Sequence, residues 1–333
     1  MDSAGINECS TEDGGELEKK AVNVPGPERK GYSGTLRPHA LSWGSMKDSA
    51  VLLIDCPDRK GLVARVSGLL YERGANILHA DQHQDHDLGL FFMRVEWELH
   101  SESGATGFEL DGFKAAFAPL AAELGMHWKL SATAQRPKVA LFCSQYMHCM
   151  ADLLQRWHSG ELDCEIPLIV SNHREVENLA VFYGIPFEHV PVTAGERKNS
   201  EKRQLALLEE RGVEVVVLAR YMQILSAEFV ARYPAAIINV HHSFLPAFTG
   251  AKPYHAAHAR GVKLIGATSH YVTEVLDDGP IIEQDVARIS HRDQVEDLVA
   301  RGRDLERLVL SRAVRWHLDR RILCYGNKTV VFD

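Results

Sequence analysis

The stretch AAIINVHHSFLPAFTG, residues 235–250, decides how the second half of the chain is read. Its opening run, Ala235 to Ile238, is apolar and ends at Asn239, the composition of a strand buried on both faces. His241 and His242 follow at once, and Ser243, Pro246 and Gly250 then supply the residues of a shaped loop. Groups that can donate or move protons therefore stand where a strand ends.

Upstream, residues 139–144, 165–172, 185–192 and 213–219 are further apolar runs of strand length. Helical spacing falls between them, over 147–159, 174–183 and 202–210. Downstream come a helix over 254–260, two strands around the acidic turn VLDDGP (275–280), and a long helix from Asp293 to about Leu318. Apolar strands alternating with helices predict an α/β fold: a doubly wound, mostly parallel sheet covered on both faces. Ligands of such sheets sit at the carboxyl ends of the strands. No Gly-x-Gly-x-x-Gly follows any strand, so nothing points to dinucleotide binding.

The first half follows a different pattern. Residues 50–56 read as a strand, and 57–61 as a turn. Leu62, Val63, Val66, Leu69 and Leu70 recur at helical spacing. Two alternating strands, a second helix over 111–124 and a short closing strand complete β-α-β-β-α-β, the split arrangement of a small α+β, ferredoxin-like domain. The chain is thus expected to comprise a disordered extension (1–48), this small domain (49–131), a linker (132–137) and the larger domain (138–333). The extension is rich in Gly, Ser, Glu and Lys and poor in large apolar residues, too little to offset the entropy of ordering. Met46 stands just before the first strand as an alternative start.

Charge and cysteine content narrow the function. The 333 residues carry 37 Lys and Arg against 45 Asp and Glu, a net charge of −8. That argues against nucleic-acid or anionic-membrane partners, which select a basic excess. No apolar run is long enough to span a bilayer. Six scattered cysteines without a Cys-x-x-Cys pair read as free thiols in a reducing compartment, the cytoplasm.

The candidate chemistry rests on Asn239, His241 and Asp277. An amide and an imidazole can donate to a developing oxyanion, while a carboxylate takes a proton or holds the imidazole charged. A metal centre built from His241, His242, His255, His258 and His270 is the rival reading. His255 and His258 have ligand spacing on one helix face, but no carboxylate or cysteine completes a set, so no metal is expected.

These motifs carry two resemblances. The order Asn239-Val240-His241, Ser243, Leu245-Pro246 and then Leu276-Asp277-Asp278-Gly279-Pro280 resembles the formyltetrahydrofolate-dependent formyltransferase family, from Lys138 almost to the end. The resemblance implies Asn239, His241 and Asp277, rather than Asp278, as catalytic residues. It also implies that the segment Met222, Gln223, Ile224 and Leu225 holds the folate pterin, with plain core packing as the alternative. Residues 55–77 resemble an ACT domain, a module that commonly binds amino acids. Asp58 and Gly61 match its characteristic turn, and Asn76 is a further amide for the same ligand. The alternative is a module that only pairs chains.

Within the first family, the transferases that act on glycinamide ribonucleotide carry a Gly-rich phosphate loop after the first strand. Residues 143–149 here contain no glycine. The ACT domain ahead of the fold, and His242 where transferases usually have proline, resemble the deformylase branch. The resemblance implies hydrolysis of 10-formyltetrahydrofolate to formate and tetrahydrofolate, with no cofactor. It also implies a homo-oligomer formed through ACT domains and an amino-acid effector such as glycine or methionine. Transfer of the formyl group to an amine, and a non-catalytic folate or amino-acid sensor, are the alternatives.

Overall fold

The computed structural model describes residues 48–99, 108–193, 195–247 and 253–333. Residues 1–47, which include Met46, and Gly250 of the loop lie outside them.

The first domain runs β1 (Ser49–Pro57), α1 (Leu62–Glu72), β2 (Ile77–Asp85), β3 (Leu90–Glu98), α2 (Leu110–Leu124) and β4 (His127–Ala132). Its four strands form an antiparallel sheet in the order β2-β3-β1-β4. Strand alternation sets one face. Leu52, Ile54, Phe91, Met93, Val95 and Trp97 point at both helices and pack against Phe113 and Phe117.

The opposite face of β3 presents Phe92, Arg94 and Glu96, a pattern that by itself suits water. Yet Phe92 is 0% exposed and Arg94 only 7%. The cause is a C-terminal hairpin, β12 (Ile322–Tyr325) and β13 (Lys328–Val331), that lies against this face. Phe92 clusters with Leu323, Val330 and Phe332, and its ring centroid is 4.5 Å from that of Tyr325. Arg94 donates from Nε to the Arg320 carbonyl (3.2 Å) and from Nη2 to the Asp319 carbonyl (3.3 Å) and the Glu96 carboxylate (2.8 Å). It thereby satisfies carbonyls just past the end of the long helix α8 (Val295–Leu318). Phe92→Ala is expected to cost about 3–5 kcal/mol, read as a lower denaturation midpoint. A loss below about 1 kcal/mol would mean that the two domains are not joined through this ring.

The second domain holds a seven-stranded sheet in the order β11-β10-β9-β8-β5-β6-β7. The strands are β5 (Lys138–Cys143), β6 (Glu165–Ser171), β7 (Phe187–His189), β8 (Val215–Leu218), β9 (Ile237–His241), β10 (Leu264–Tyr271) and β11 (Ile281–Arg288). β5 to β9 are parallel; β10 runs antiparallel to β9, and β11 antiparallel to β10. One face is covered by α3 (His148–His158), α4 (Glu177–Tyr183) and α8, the other by α5 (Arg197–Glu210) and α6 (Ala227–Arg232). The strand read over 185–192 shortens to β7. The short α6 and the C-terminal hairpin are additions to the elements read from sequence.

Register positions the chemistry. Phe142 pairs with Leu218, Leu218 with Asn239, and Cys143 with Ser171. The residues that follow, Ser144, Asn172, Arg220 and His241, therefore emerge along one carboxyl edge.

Candidate active site

Asn239 on β9 and His270 on β10 are cross-strand partners. The His270 Nδ1 lies 2.9 Å from the Tyr271 carbonyl oxygen. A carbonyl can only accept, so Nδ1 carries the proton. Burial lowers the His270 pKa and keeps the ring neutral, which leaves Nε2 as an acceptor. Asn239 Nδ2 stands 3.2 Å from it and donates, so the orientation of the amide is fixed. Ser269 Oγ donates to the Asn239 carbonyl at 3.0 Å and pins the backbone. His270 acts here as a positioning residue.

Asp277 sits in the turn between β10 and β11 with a left-handed φ of 54°, a conformation that costs a non-glycine residue roughly 1 kcal/mol or more. The turn is held closed around it. Tyr271 N–H donates to the Pro280 carbonyl at 2.9 Å. A Cβ on Gly279 would lie 1.8 Å from the Tyr271 carbonyl oxygen, so only glycine fits there. Asp277 Oδ2 lies 3.3 Å from His241 Nδ1, and Oδ1 lies 3.8 Å from His270 Nε2. The hydrogen bond from His241 lowers the Asp277 pKa against the opposing effect of burial. Asp278, its neighbour, is exposed. On the other side of His241, Nε2 is buried with no hydrogen-bond partner among the described residues. That nitrogen is the free edge of a group whose other nitrogen faces a carboxylate.

His242 is buried beside His241, with ring centroids 5.0 Å apart. Burial, then the Arg220 charge, pushes its pKa down from the ordinary 6.5 to about 4. Burial does the same to His317, which meets the Tyr271 hydroxyl at 2.7 Å. Both rings are neutral in the folded chain but bind protons near pH 6.5 when unfolded, so the unfolded state holds more protons between these values. Stability present above pH 6.5 is therefore expected to fall as the pH drops towards about 4. Thermal melts against pH test this. A curve left unchanged by His317→Gln would remove His317 from the account.

The four residues of the expected pterin segment divide. Met222 and Ile224 are 50% and 55% exposed, Gln223 is half-buried, and Leu225 is in the core with Phe229. The Leu225 side chain packs in the core, because the chain turns inward to start α6. Groups that the sequence reading did not single out hold this segment. Ser144 Oγ donates to Asn172 Oδ1 at 2.7 Å and accepts from Met222 N–H at 3.0 Å. Glu201 Oε1 accepts from Ser226 N–H at 2.9 Å, and Arg197 donates to the Ile224 carbonyl. The one available signal was the spacing of Arg197 and Glu201 on one helix face.

The three regulatory candidates do not converge within one chain. Gly61 caps α1 with φ 90°, and a Cβ there would meet nothing within 4 Å. It serves the turn's left-handed conformation rather than a close approach. Asp58 accepts from Gln84 Nε2 at 3.2 Å at the same end of α1. Asn76 lies past the far end, roughly 16 Å of helix away, and donates to Glu98 at 3.0 Å. His255 and His258, the spaced pair considered for a metal, are exposed on α7 (Pro253–Arg260).

Comparison with known proteins agrees with this architecture. Residues 137–314 match the formyl transferase family model, and residues 50–96 match the ACT domain. A formyltetrahydrofolate deformylase of Synechocystis is 52% identical over 286 residues, covering 85% of this chain and 98% of that protein. The one of Bacillus subtilis is 47% identical, covering 86% and 95%. A solved formyltetrahydrofolate deformylase of Pseudomonas syringae has a TM-score of 0.83 at 49% identity, covering 87% of this chain and 96% of its own. An ACT module ahead of a formyltransferase fold, with an Asn-His-Asp group at the carboxyl edge, is the class that fold and site define. Within it, the chain belongs to the formyltetrahydrofolate deformylase family.

Proposed function

We propose that the chain hydrolyses 10-formyltetrahydrofolate to formate and tetrahydrofolate. The observation that carries this reading is His241, clamped at Nδ1 by Asp277 and free at Nε2, two residues along β9 from Asn239. A carboxylate facing Nδ1 favours the proton there, so Nε2 of the neutral ring is a base. Nε2 takes a proton from water as the water oxygen bonds to the formyl carbon. Asp277 stabilises the imidazolium that forms, and the second Asn239 amide hydrogen donates to the oxyanion. The imidazolium then returns the proton to N10 as the C–N10 bond breaks. Formic acid leaves and ionises. His241 is thus a base before it is a donor, a sharper role than oxyanion binding alone. Exposed Met222 and Ile224, on the same edge, form the apolar surface for the pterin.

Water rather than an amine is the acceptor in this reading. The segment from β5 into α3 carries Tyr146 and His148 and no glycine, which removes a backbone cradle for an acceptor phosphate. The reading extends to regulation: paired ACT domains bind an amino acid, glycine or methionine, at the Asp58–Gly61 turn. It places the protein in the cytoplasm, which fits the free Cys56, Cys143, Cys149, Cys164 and Cys324. No helix among the described residues is long and apolar enough to cross a membrane.

The test is formate release by the purified chain from 10-formyltetrahydrofolate without an added amine, repeated with glycine and with methionine. Turnover that needs an amine acceptor would make the chain a transferase. No turnover under any condition would leave a sensor. A rate indifferent to both amino acids would remove them as effectors.

A further inference from the structure

A cavity of about 260 Å³ opens on the far side of His242. Its wall includes Tyr146 from the loop after β5, His148 at the start of α3, Tyr254 on α7, and Arg303 and Glu306 on α8. It is also lined by Arg220, two residues past the end of β8. Two features of Arg220 are unusual. Its backbone is left-handed, φ 64°, at a non-glycine residue. Its side chain is 10% exposed, yet its guanidinium makes no hydrogen bond to any described residue, and Nε is buried without a partner. Strain combined with an unsatisfied buried donor marks a position kept for a ligand rather than for packing.

Glu306 is the one carboxylate in the wall, and it is already occupied. Oε2 lies 2.7 Å from His148 Nε2, and Oε1 accepts from the Tyr254 hydroxyl at 2.9 Å. Its Oε2 also lies 3.3 Å from Arg220 Nε, near enough for charge attraction but not aligned as a hydrogen bond. That leaves the other guanidinium nitrogens of Arg220 for an acceptor. The Tyr146 ring lies 5.3 Å from the guanidinium carbon and supports it from one face. Arg303, exposed at the rim, has no ion pair or hydrogen bond among the described residues. The lining therefore carries two arginines against one saturated carboxylate, with a neutral His242 between the cavity and His241. A cation is disfavoured. His148, Cys149 and Glu306 do place ligand atoms within 4.8 Å of one another. However, the Arg220 charge occupies the side from which a metal would meet Glu306, and burial keeps the Cys149 thiol protonated.

We propose that this cavity binds a small carboxylate, formate first, in the fork of Arg220 with Arg303 at the mouth. Two parallel N–H donors of a guanidinium match the two oxygens of a carboxylate. The volume holds formate with several waters, each taking about 30 Å³. A zwitterionic amino acid suits it less, because its ammonium would face two arginines and find Glu306 already bonded. The site itself stands on the geometry, whereas formate as its natural occupant rests on the deformylase reading. Formate leaving His241 would pass His242 into this cavity, and at high concentration it would slow turnover from there.

The test uses the full chain and ¹³C-formate, with binding read by NMR line broadening. Wild type is expected to bind formate. Arg303→Met, a rim change outside the groups that handle the formyl carbon, is expected to weaken binding about tenfold. Arg220→Lys keeps the charge opposite Glu306 while removing the fork, and should weaken binding at least as much. In turnover, inhibition by added formate should weaken by the same factor in Arg303→Met. No formate binding by wild type, or equal binding by wild type and both variants, overturns the proposal. Displacement by glycine as strong as by acetate overturns formate as the preferred class. Arginine-dependent formate binding without deformylation would keep the site and discard the deformylase reading. Deformylation with no such binding would do the reverse.

Discussion

Asp277→Asn is expected to lower kcat for formate release by about 10²–10⁴, with little change in KM. The reason is local. Asparagine keeps the size of the side chain and tolerates the left-handed backbone that Asp277 adopts, so the turn should survive. What changes is the group facing His241 Nδ1. An amide cannot neutralise an imidazolium, and its nitrogen, if turned towards Nδ1, would select the wrong tautomer. His241 Nε2 would then no longer be the base. The hydrogen bond from His241 holds the carboxylate ionised below the ordinary carboxylate range, so Asp277 is charged throughout the neutral range in which the rate is measured. Steady-state rates paired with a thermal melt separate the two effects. A rate within tenfold of wild type at an unchanged melting temperature would remove Asp277 from the proton path.

Asn239→Ala should cost about 10²–10³ in kcat, the usual loss for one oxyanion donor. Two consequences distinguish this from general damage. First, KM for the folate should barely move, because the exposed Met222 and Ile224 surface lies on a neighbouring segment. Second, the effect should not add to that of His270→Ala. His270 works on the reaction only by accepting from the Asn239 amide, so the double variant should be little slower than Asn239→Ala alone. Full additivity would show that His270 handles a proton itself. The neutral Nδ1–H tautomer, bound to the Tyr271 carbonyl, argues against that role.

Sequence alone determined more here than local pattern usually allows, because two periodicities were clean. Alternation in β3 separated Phe91, Met93, Val95 and Trp97 from their neighbours, and those four are in the core of the small domain. Continuous apolar strands between helices specified a parallel sheet, and that specification alone put the chemistry at the carboxyl ends. Asn239 and His241 were legible because they close such a strand, and Asp277 because it stands in a turn with Gly and Pro just behind it.

Tertiary structure decided what depends on residues distant in the chain. Phe92 and Arg94 read as one apolar and one charged residue on a wet face, and only the C-terminal hairpin, more than two hundred residues on, buries them. Leu225 was indistinguishable from Met222 and Ile224 until the start of α6 drew it into the core. His270 stood out only as one of the five histidines of the rival metal reading, because its positioning role depends on β9 and β10 pairing in one register. Arg220 gave no signal at all: its unsatisfied guanidinium exists only because α8 brings Glu306 alongside and the loop after β5 folds Tyr146 over it. Periodicity encodes which face of an element is buried. It cannot encode which distant group arrives to cover that face, and the cavity beside His242 is made entirely of such arrivals.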